Sequence, residues 1–265
     1  MVLDFWERFF RYTDLGMGFS SFTKEHLIAS LIFAVLPVSL VVVFKDRIRR
    51  FRYEPVLGIG LGVLGLLIEF LQYCWHYHGG QTDWRHIYPT TLCGLTLYLS
   101  SIAMITRNVR LGQIAYFYSY GAFFSFLFAE VRHGPDRFRF YAYFVIHGLI
   151  LVNAAYQVAV YRVRADKEGL ANACRLFVPV LALSFVLNRF FRDETLALNF
   201  FYVDHPPFEF PVFSQLYAID GLLYAAAVCI SYYLLFGIMY LIARWGKFDR
   251  IHHRDPRHPE QLDLY

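Results

Sequence analysis

Apolar residues in this 265-residue chain form long runs separated by short polar segments. A run with few charges is long enough to cross a bilayer as a helix once it reaches about 18 residues. We predict seven spans, at His26–Phe44, Pro55–Trp75, Pro89–Ile105, Leu111–Phe128, Phe140–Tyr161, Leu176–Phe191 and Leu216–Ile242, of which the fourth and sixth are short and interrupted. The connecting segments are too short for a separate soluble domain. The pattern therefore predicts an all-α, polytopic membrane helical bundle.

The two ends of the chain differ from the bundle. Residues 1–24 have aromatic side chains on one helical face and charges off it, which fits a helix lying in the membrane interface. An ordinary solvated lead-in fits them equally well. Residues 25–243 form the seven-helix transmembrane domain, and residues 244–265 form a polar tail rich in His, Arg and Pro.

Composition supports the membrane class, and charge orients the bundle. Charged residues make up 17% of the chain, whereas a soluble domain carries about a quarter. Sixteen Lys and Arg residues fall on the face that includes the tail and nine on the other. The positive-inside rule then predicts an outer N-terminus and a cytoplasmic C-terminus. Contact with anionic lipid headgroups at the cytoplasmic face accounts for the net charge of +4 without a nucleic-acid partner.

Polar residues within the predicted spans fall mainly in the outer half of the bilayer. They are Glu69, Cys93, His147, Asn188 and Asp220, joined by Asn199 and Tyr202 in the loop after the sixth span. Ionisable groups within a membrane are costly and usually face a bundle interior or a wet cavity. This pattern predicts an outward-facing polar pocket, with little to match it in the inner half.

Cys93 and His147 are the candidate reactive pair. An isolated cysteine in an apolar helix usually packs inertly, which is our interpretation of Cys74, Cys174 and Cys229. Cys93 differs because it lies four residues after Pro89, in the first turn of a predicted helix, where the helix N-terminus favours the thiolate. His147 fits a general base, or a side chain that only hydrogen-bonds across helices.

Four segments together carry a family resemblance. They are Lys24-Glu-His26, Tyr88-Pro-Thr-Thr-Leu-Cys93, Arg137-Phe-Arg-Phe with Phe144-Val-Ile-His147-Gly, and Asn188 followed by Asn199-Phe-Phe-Tyr202. In their order and spacing the chain resembles the YwaF-like family of bacterial integral membrane proteins. These are related to a eukaryotic transmembrane acyltransferase that remodels ether phospholipids. They are also distantly related to androgen-induced membrane hydrolases of fatty-acid esters.

The resemblance implies a bacterial plasma-membrane enzyme that acts on membrane lipid without a cofactor. Cys93 would be its nucleophile, forming a thioester, and His147 its base; transferase and hydrolase both remain open. Glu69, Asn188 or Asn199 would orient His147, and Tyr202 belongs to the same set of substrate-binding or orienting residues. Thr91 stands where relatives often carry a histidine, which puts the rate or substrate of this chain in question.

Two other classes of function fit the same residues. In a non-catalytic transporter or receptor, Glu69, His147 and Asp220 would bind a solute or relay protons. A metal-dependent membrane hydrolase would use histidines of the outer face, namely His76, His78, His86 and His133. The tail histidines His252, His253 and His258 match no strong ligand spacing.

Overall fold

A computed structural model describes residues 2–13, 16–79, 89–129, 131–191, 199–206 and 211–248. Within those ranges the chain forms twelve α-helices. They are α1 (Val2–Phe9), α2 (Lys24–Ser30), α3 (Leu36–Val43), α4 (Lys45–Arg50), α5 (Glu54–His78), α6 (Leu92–Thr106), α7 (Val109–Tyr118), α8 (Tyr120–Leu127), α9 (Phe138–Ala159), α10 (Lys167–Phe190), α11 (Pro211–Ile219) and α12 (Gly221–Trp245). A π-helical turn at Leu31–Val35 joins α2 to α3, which makes Lys24–Val43 one continuous helix.

Among the described residues, five helices are long enough and apolar enough to cross a bilayer: Lys24–Val43, α5, α9, α10 and α12. They identify an integral membrane protein. The helix α6 is also apolar, but its 15 residues extend only about 22 Å at 1.5 Å per residue. The predicted count of seven spans is therefore not confirmed, and the orientation of the termini stays a prediction.

The helix α9 is the centre of the bundle. Of its apolar stretch 72% is buried, against 17–22% for the other four long helices. It packs against α3, α5, α6 and α8. The helices around it keep many large aliphatic side chains on the outside, where lipid is their solvent.

Two predicted spans are divided in ways that the hydrophobic pattern does not show. The fourth breaks between α7 and α8 at Ser119, whose hydroxyl donates to the carbonyl of Tyr116 over 2.7 Å and so competes with the helical backbone bonds. The seventh is divided at Asp220. This carboxylate accepts from the N–H groups of Leu222 and Leu223 at 2.7 and 2.9 Å and caps α12. The expectation that Asp220 lines the polar pocket is corrected, because its side chain is an exposed helix cap.

The predicted sixth span is also longer than the hydrophobic pattern indicated. Helix α10 has 24 residues and starts at Lys167, with Pro179 inside it. Asp166 caps it by accepting a 2.9 Å hydrogen bond from the N–H of Gly169, so the helix begins in the polar segment before the apolar run.

The end of the bundle that the positive-inside rule predicts to be cytoplasmic is more polar than the hydrophobic pattern indicates. Asn153 and Gln157 of α9 are fully or almost fully buried, and the Asn153 amide donates to the Ser100 hydroxyl over 3.3 Å. Nearby, Glu54 at the start of α5 pairs with Arg107 over 2.9 Å and accepts from the Tyr156 hydroxyl at the same distance. These contacts tie α5, α6 and α9 together at one end.

Candidate functional site

The N-terminus of α6 presents Cys93 in a capped first turn. Thr91 is the N-cap residue, and its hydroxyl accepts from the N–H of Gly94 over 3.2 Å. Cys93 is the second residue of the helix, half-buried, beside first-turn N–H groups that carry partial positive charge. The side chain of Thr91 therefore has a structural use as the cap of this helix.

Helix α8 forms the wall beside the thiol. The sulfur of Cys93 lies 3.7 Å from the hydroxyl oxygen of Ser125. A Cβ atom at Gly121 would lie 3.1 Å from that sulfur, so glycine here lets the thiol approach the backbone of α8 closely. Cys93 also packs against an apolar cluster that includes Ile146 and Ile150, which flank His147 on α9.

The imidazole of His147 is held in one tautomer. Its Nδ1 lies 2.7 Å from the carbonyl oxygen of Tyr143. Because a carbonyl oxygen can only accept, Nδ1 must carry the proton, and Nε2 then holds a lone pair. Nε2 makes no hydrogen bond to the residues that the structure describes. This is the form of histidine that a general base requires.

Tyr143 and Ser125 connect the histidine to the thiol. The ring of Tyr143 lies 4.3 Å from that of His147, centroid to centroid, and its hydroxyl donates to the carbonyl of Ser125 over 2.9 Å. Ser125 in turn contacts Cys93. A chain of close contacts thus runs from α6 through α8 to α9.

A group of charged and polar residues around Arg139, the charged layer, lies about two turns before His147 on α9. Arg139 donates to the side-chain oxygen of Gln72 over 2.9 Å, and its guanidinium lies 5.7 Å from the centre of the Tyr143 ring. It is also near enough to Glu69 and His147 to interact electrostatically with both. Glu69 therefore lies near Arg139, between α5 and α9. Burial raises the pKa of the nearby Tyr12 hydroxyl, so Tyr12 stays neutral beside this layer.

Asn188 at the end of α10 and Asn199 hold the backbone of the loop at residues 199–206. The Asn188 amide accepts from the N–H of Phe200 at 2.7 Å and donates to its carbonyl at 3.1 Å. Asn199 accepts from the N–H of Asp204 and donates to the carbonyl of His205. The family resemblance makes both asparagines candidates to orient His147, but their hydrogen bonds go to the loop backbone.

This loop is anchored on the segment that precedes Cys93. Phe201 donates its N–H to the carbonyl of Thr90 over 2.8 Å. Phe201 and Tyr202 both have positive φ, 54° and 56°, a conformation that costs a non-glycine residue about 1–3 kcal/mol. Hydroxyls of α12 stabilise it, since Tyr232 donates to the carbonyl of Phe201 and Tyr224 to that of Tyr202. Strained backbone of this kind concentrates at functional sites.

The candidate metal ligands do not converge in the described part of the chain. Those residues contain no group of three or more His, Cys, Asp or Glu side chains placed to hold a metal ion. His133 instead contacts the carbonyl of Tyr12 at 3.2 Å. His86, Tyr88 and the tail histidines lie outside the described residues.

Three contributors to the site were not identified from the sequence. Ser125 and Tyr143 carry no signal beyond their type, although Tyr143 lies four residues before His147 and so on the same helical face. Arg139 is a basic residue and part of the Arg137-Phe-Arg-Phe segment, and the sequence predicts no role for it in the site. Its place between two helices emerges from packing.

Comparison with known proteins places the chain in a family of membrane proteins. The family model described as "TMEM164 family" matches residues 21–240, which include every described residue of the site. An uncharacterized protein of Treponema pallidum (strain Nichols) is 24% identical over 226 residues, covering 84% of this chain and 87% of that protein. No solved structure matches the chain. The matches bear out the predicted membrane-protein family but not its YwaF-like or hydrolase details. By the extent of the family match, this chain belongs to the TMEM164 family.

Proposed function

We propose that this protein is a membrane-embedded enzyme of acyl-lipid metabolism that works through a thioester on Cys93. The observation that carries the proposal is the chain of contacts that leads from Cys93 to His147. Cys93 occupies a capped helix N-terminus, and contacts through Ser125 and Tyr143 lead from it to a histidine whose Nε2 is held in the basic form. A nucleophile with a base oriented by a third group is the general pattern of covalent acyl transfer.

The chemistry follows in two halves. His147 takes the thiol proton, and the Cys93 sulfur bonds to the carbonyl carbon of a lipid ester. The carbon–oxygen bond to the leaving alcohol breaks, and that oxygen receives the proton from His147. A second lipid hydroxyl, or water, then attacks the thioester and regenerates the thiol. Exclusion of water from the bundle favours transfer to a lipid over hydrolysis.

Arg139 favours a phospholipid as the substrate. A guanidinium binds phosphate through several N–H groups at once, and Arg139 lies on the same helix as His147, two turns closer to its start. In a glycerophospholipid the phosphate lies nearer the membrane surface than the ester carbonyl, in the same order as Arg139 and His147 along α9. The proposed setting is the outer half of a bacterial plasma membrane.

Intact-mass measurement tests the thioester directly. The purified protein is incubated in detergent with dioleoyl phosphatidylethanolamine and phosphatidylglycerol, as wild type, Cys93→Ala, His147→Gln and Cys229→Ala. We expect an oleoyl increment on wild type and Cys229→Ala that hydroxylamine removes, none on Cys93→Ala, and slow formation on His147→Gln. An equal increment on Cys93→Ala would contradict the proposal.

The charged layer supports a second candidate function, the binding of a solute or the relay of protons. Glu69, Arg139 and His147 interact electrostatically within the bundle, as polar groups of transporters do. In that case Cys93→Ala would keep full function, whereas Glu69→Gln or His147→Gln would abolish it. The same set of variants therefore separates the two functions.

A further inference from the structure

The hydroxyl of Tyr120 is a buried polar group without a use in the fold. Tyr120 is 7% exposed, and its hydroxyl has no hydrogen-bond partner among the described residues. Buried hydroxyls are nearly always paired, so each exception calls for an explanation. Tyrosine is also a poor choice for a purely apolar position, since phenylalanine fills the same space without the cost of an unpaired hydroxyl.

Tyr120 lies beside the candidate nucleophile. It is close enough to Cys93 for electrostatic interaction, and the next residue, Gly121, is the one whose backbone the Cys93 sulfur approaches. The break at Ser119 starts α8 at Tyr120, so the division of the fourth span brings this side chain to its position. Its neighbour Tyr232 is different, because that hydroxyl already donates to the carbonyl of Phe201.

We propose that Tyr120 is a catalytic hydrogen-bond donor that stabilises the oxyanion formed when Cys93 attacks an ester. This rests on the thioester function proposed above. As the sulfur–carbon bond forms, the π electrons of the carbonyl move to its oxygen, and the Tyr120 O–H donates a hydrogen bond to that oxygen without transferring its proton. When the bond to the leaving alcohol breaks, the carbonyl re-forms, and the leaving oxygen takes the proton held by His147. The first-turn N–H groups of α6 add to the same positive field.

Two reactions of the same thiol separate this role from a structural one. Acylation by p-nitrophenyl laurate passes through an oxyanion, whereas alkylation by iodoacetamide does not. Both rates are measured on the full-length protein at the Cys93 peptide by mass spectrometry, together with the midpoint of thermal unfolding. Tyr118→Phe is the matched control, because the buried Tyr118 hydroxyl has a structural partner in the carbonyl of Ala173 at 2.7 Å.

For Tyr120→Phe we expect acylation slower by about a hundredfold or more, which is the loss typical of one oxyanion donor. Alkylation should proceed at the wild-type rate, and the unfolding midpoint should stay the same or rise, since no hydrogen bond is lost. Tyr118→Phe should show the opposite pattern, with a lower midpoint and unchanged acylation.

Several results would overturn the proposal. One is acylation of Tyr120→Phe at the wild-type rate, with the thioester function intact. Another is a parallel loss of acylation and alkylation, which would mean that Tyr120 acts on the thiol itself. A lower unfolding midpoint would reveal a structural partner for the hydroxyl. If wild type is alkylated but never acylated at Cys93, the thioester function fails, and the role of Tyr120 falls with it.

Discussion

Two histidines of this chain, His26 and His147, use their ring nitrogens differently. His26 has both ring nitrogens engaged, since Nδ1 accepts from the N–H of Phe22 and Nε2 donates to the carbonyl of Phe126, and it is 3% exposed. Such a histidine holds helices together and has no nitrogen left for chemistry. His147 uses only Nδ1 within the described structure. The difference identifies His147, rather than His26, as the candidate base.

A prediction at the same scale concerns Arg139. If its guanidinium binds lipid phosphate, Arg139→Gln should slow acyl-enzyme formation from dioleoyl phosphatidylglycerol by about tenfold or more, as loss of a charged hydrogen bond does. The uncharged ester p-nitrophenyl laurate should react at nearly the wild-type rate. Both rates are measured as acyl increments in mass spectra, with the exposed Arg132→Gln as control. Equal losses on both substrates would mean that Arg139 serves only to hold Gln72 and α5.

Sequence patterns identify some site residues and cannot identify others. Cys93 and His147 stand out because reactive side chains are rare inside apolar spans. Tyr120 is one of twenty tyrosines, and only packing shows that its hydroxyl is unpaired. Asn188 and Asn199 have the right type and depth for a pocket, yet the loop backbone takes their hydrogen bonds. Sequence carries the type and approximate depth of a polar group, whereas its partner depends on the tertiary fold.

At the scale of elements, glycines set how closely α5 and α6 pack. Gly62 is buried, and a Cβ atom there would lie 2.6 Å from the backbone carbonyl oxygen of Ser101. A backbone atom cannot move aside as a flexible side chain can. Small residues at such contacts are the usual basis of helix association in membranes. Gly60, half a turn away, meets nothing within 4 Å.

These two glycines give a matched pair of substitutions. Gly62→Ala should separate α5 from α6 and destabilise the protein by about 1–3 kcal/mol, as overpacking does. Gly60→Ala should have no such cost and should gain up to about 1 kcal/mol of helix propensity. Unfolding in detergent, followed by circular dichroism, measures both. A Gly62→Ala variant as stable as Gly60→Ala would show that the two helices are free to move apart.

The elements also show where hydrophobic patterning succeeds. The first, second and fifth predicted spans coincide with long helices to within a few residues, because the few polar side chains inside these apolar stretches do not interrupt the helical backbone. The pattern does not reveal the breaks at Ser119 and Asp220, because in both cases one polar side chain competes for backbone hydrogen bonds inside an apolar run. Helix ends of this kind depend on local hydrogen bonding more than on hydrophobicity.

At the scale of the whole molecule, two contacts bear on how many times the chain crosses the membrane. The ion pair of Glu54 and Arg107 puts the end of α6 beside the start of α5. The bond from His26 to Phe126 puts the end of α8 beside the start of α2. The segment from the end of α6 to the end of α8 therefore runs from one end of the bundle to the other. The prediction of seven crossings can be tested against five crossings with a re-entrant pair.

Reporter fusions distinguish these topologies. With seven crossings and the excess of basic residues inside, a fluorescent protein fused after Arg107 or at residue 265 should fluoresce, and alkaline phosphatase fused after Arg132 should be active. A re-entrant α6 leaves the order of the termini unchanged but keeps residue 107 from the cytoplasm, so phosphatase would be active there. Phosphatase activity at residue 265 would instead mean that the whole bundle has the opposite orientation in the membrane. Cys93 would then open toward the cytoplasmic leaflet, and the acyl donor would have to come from that side.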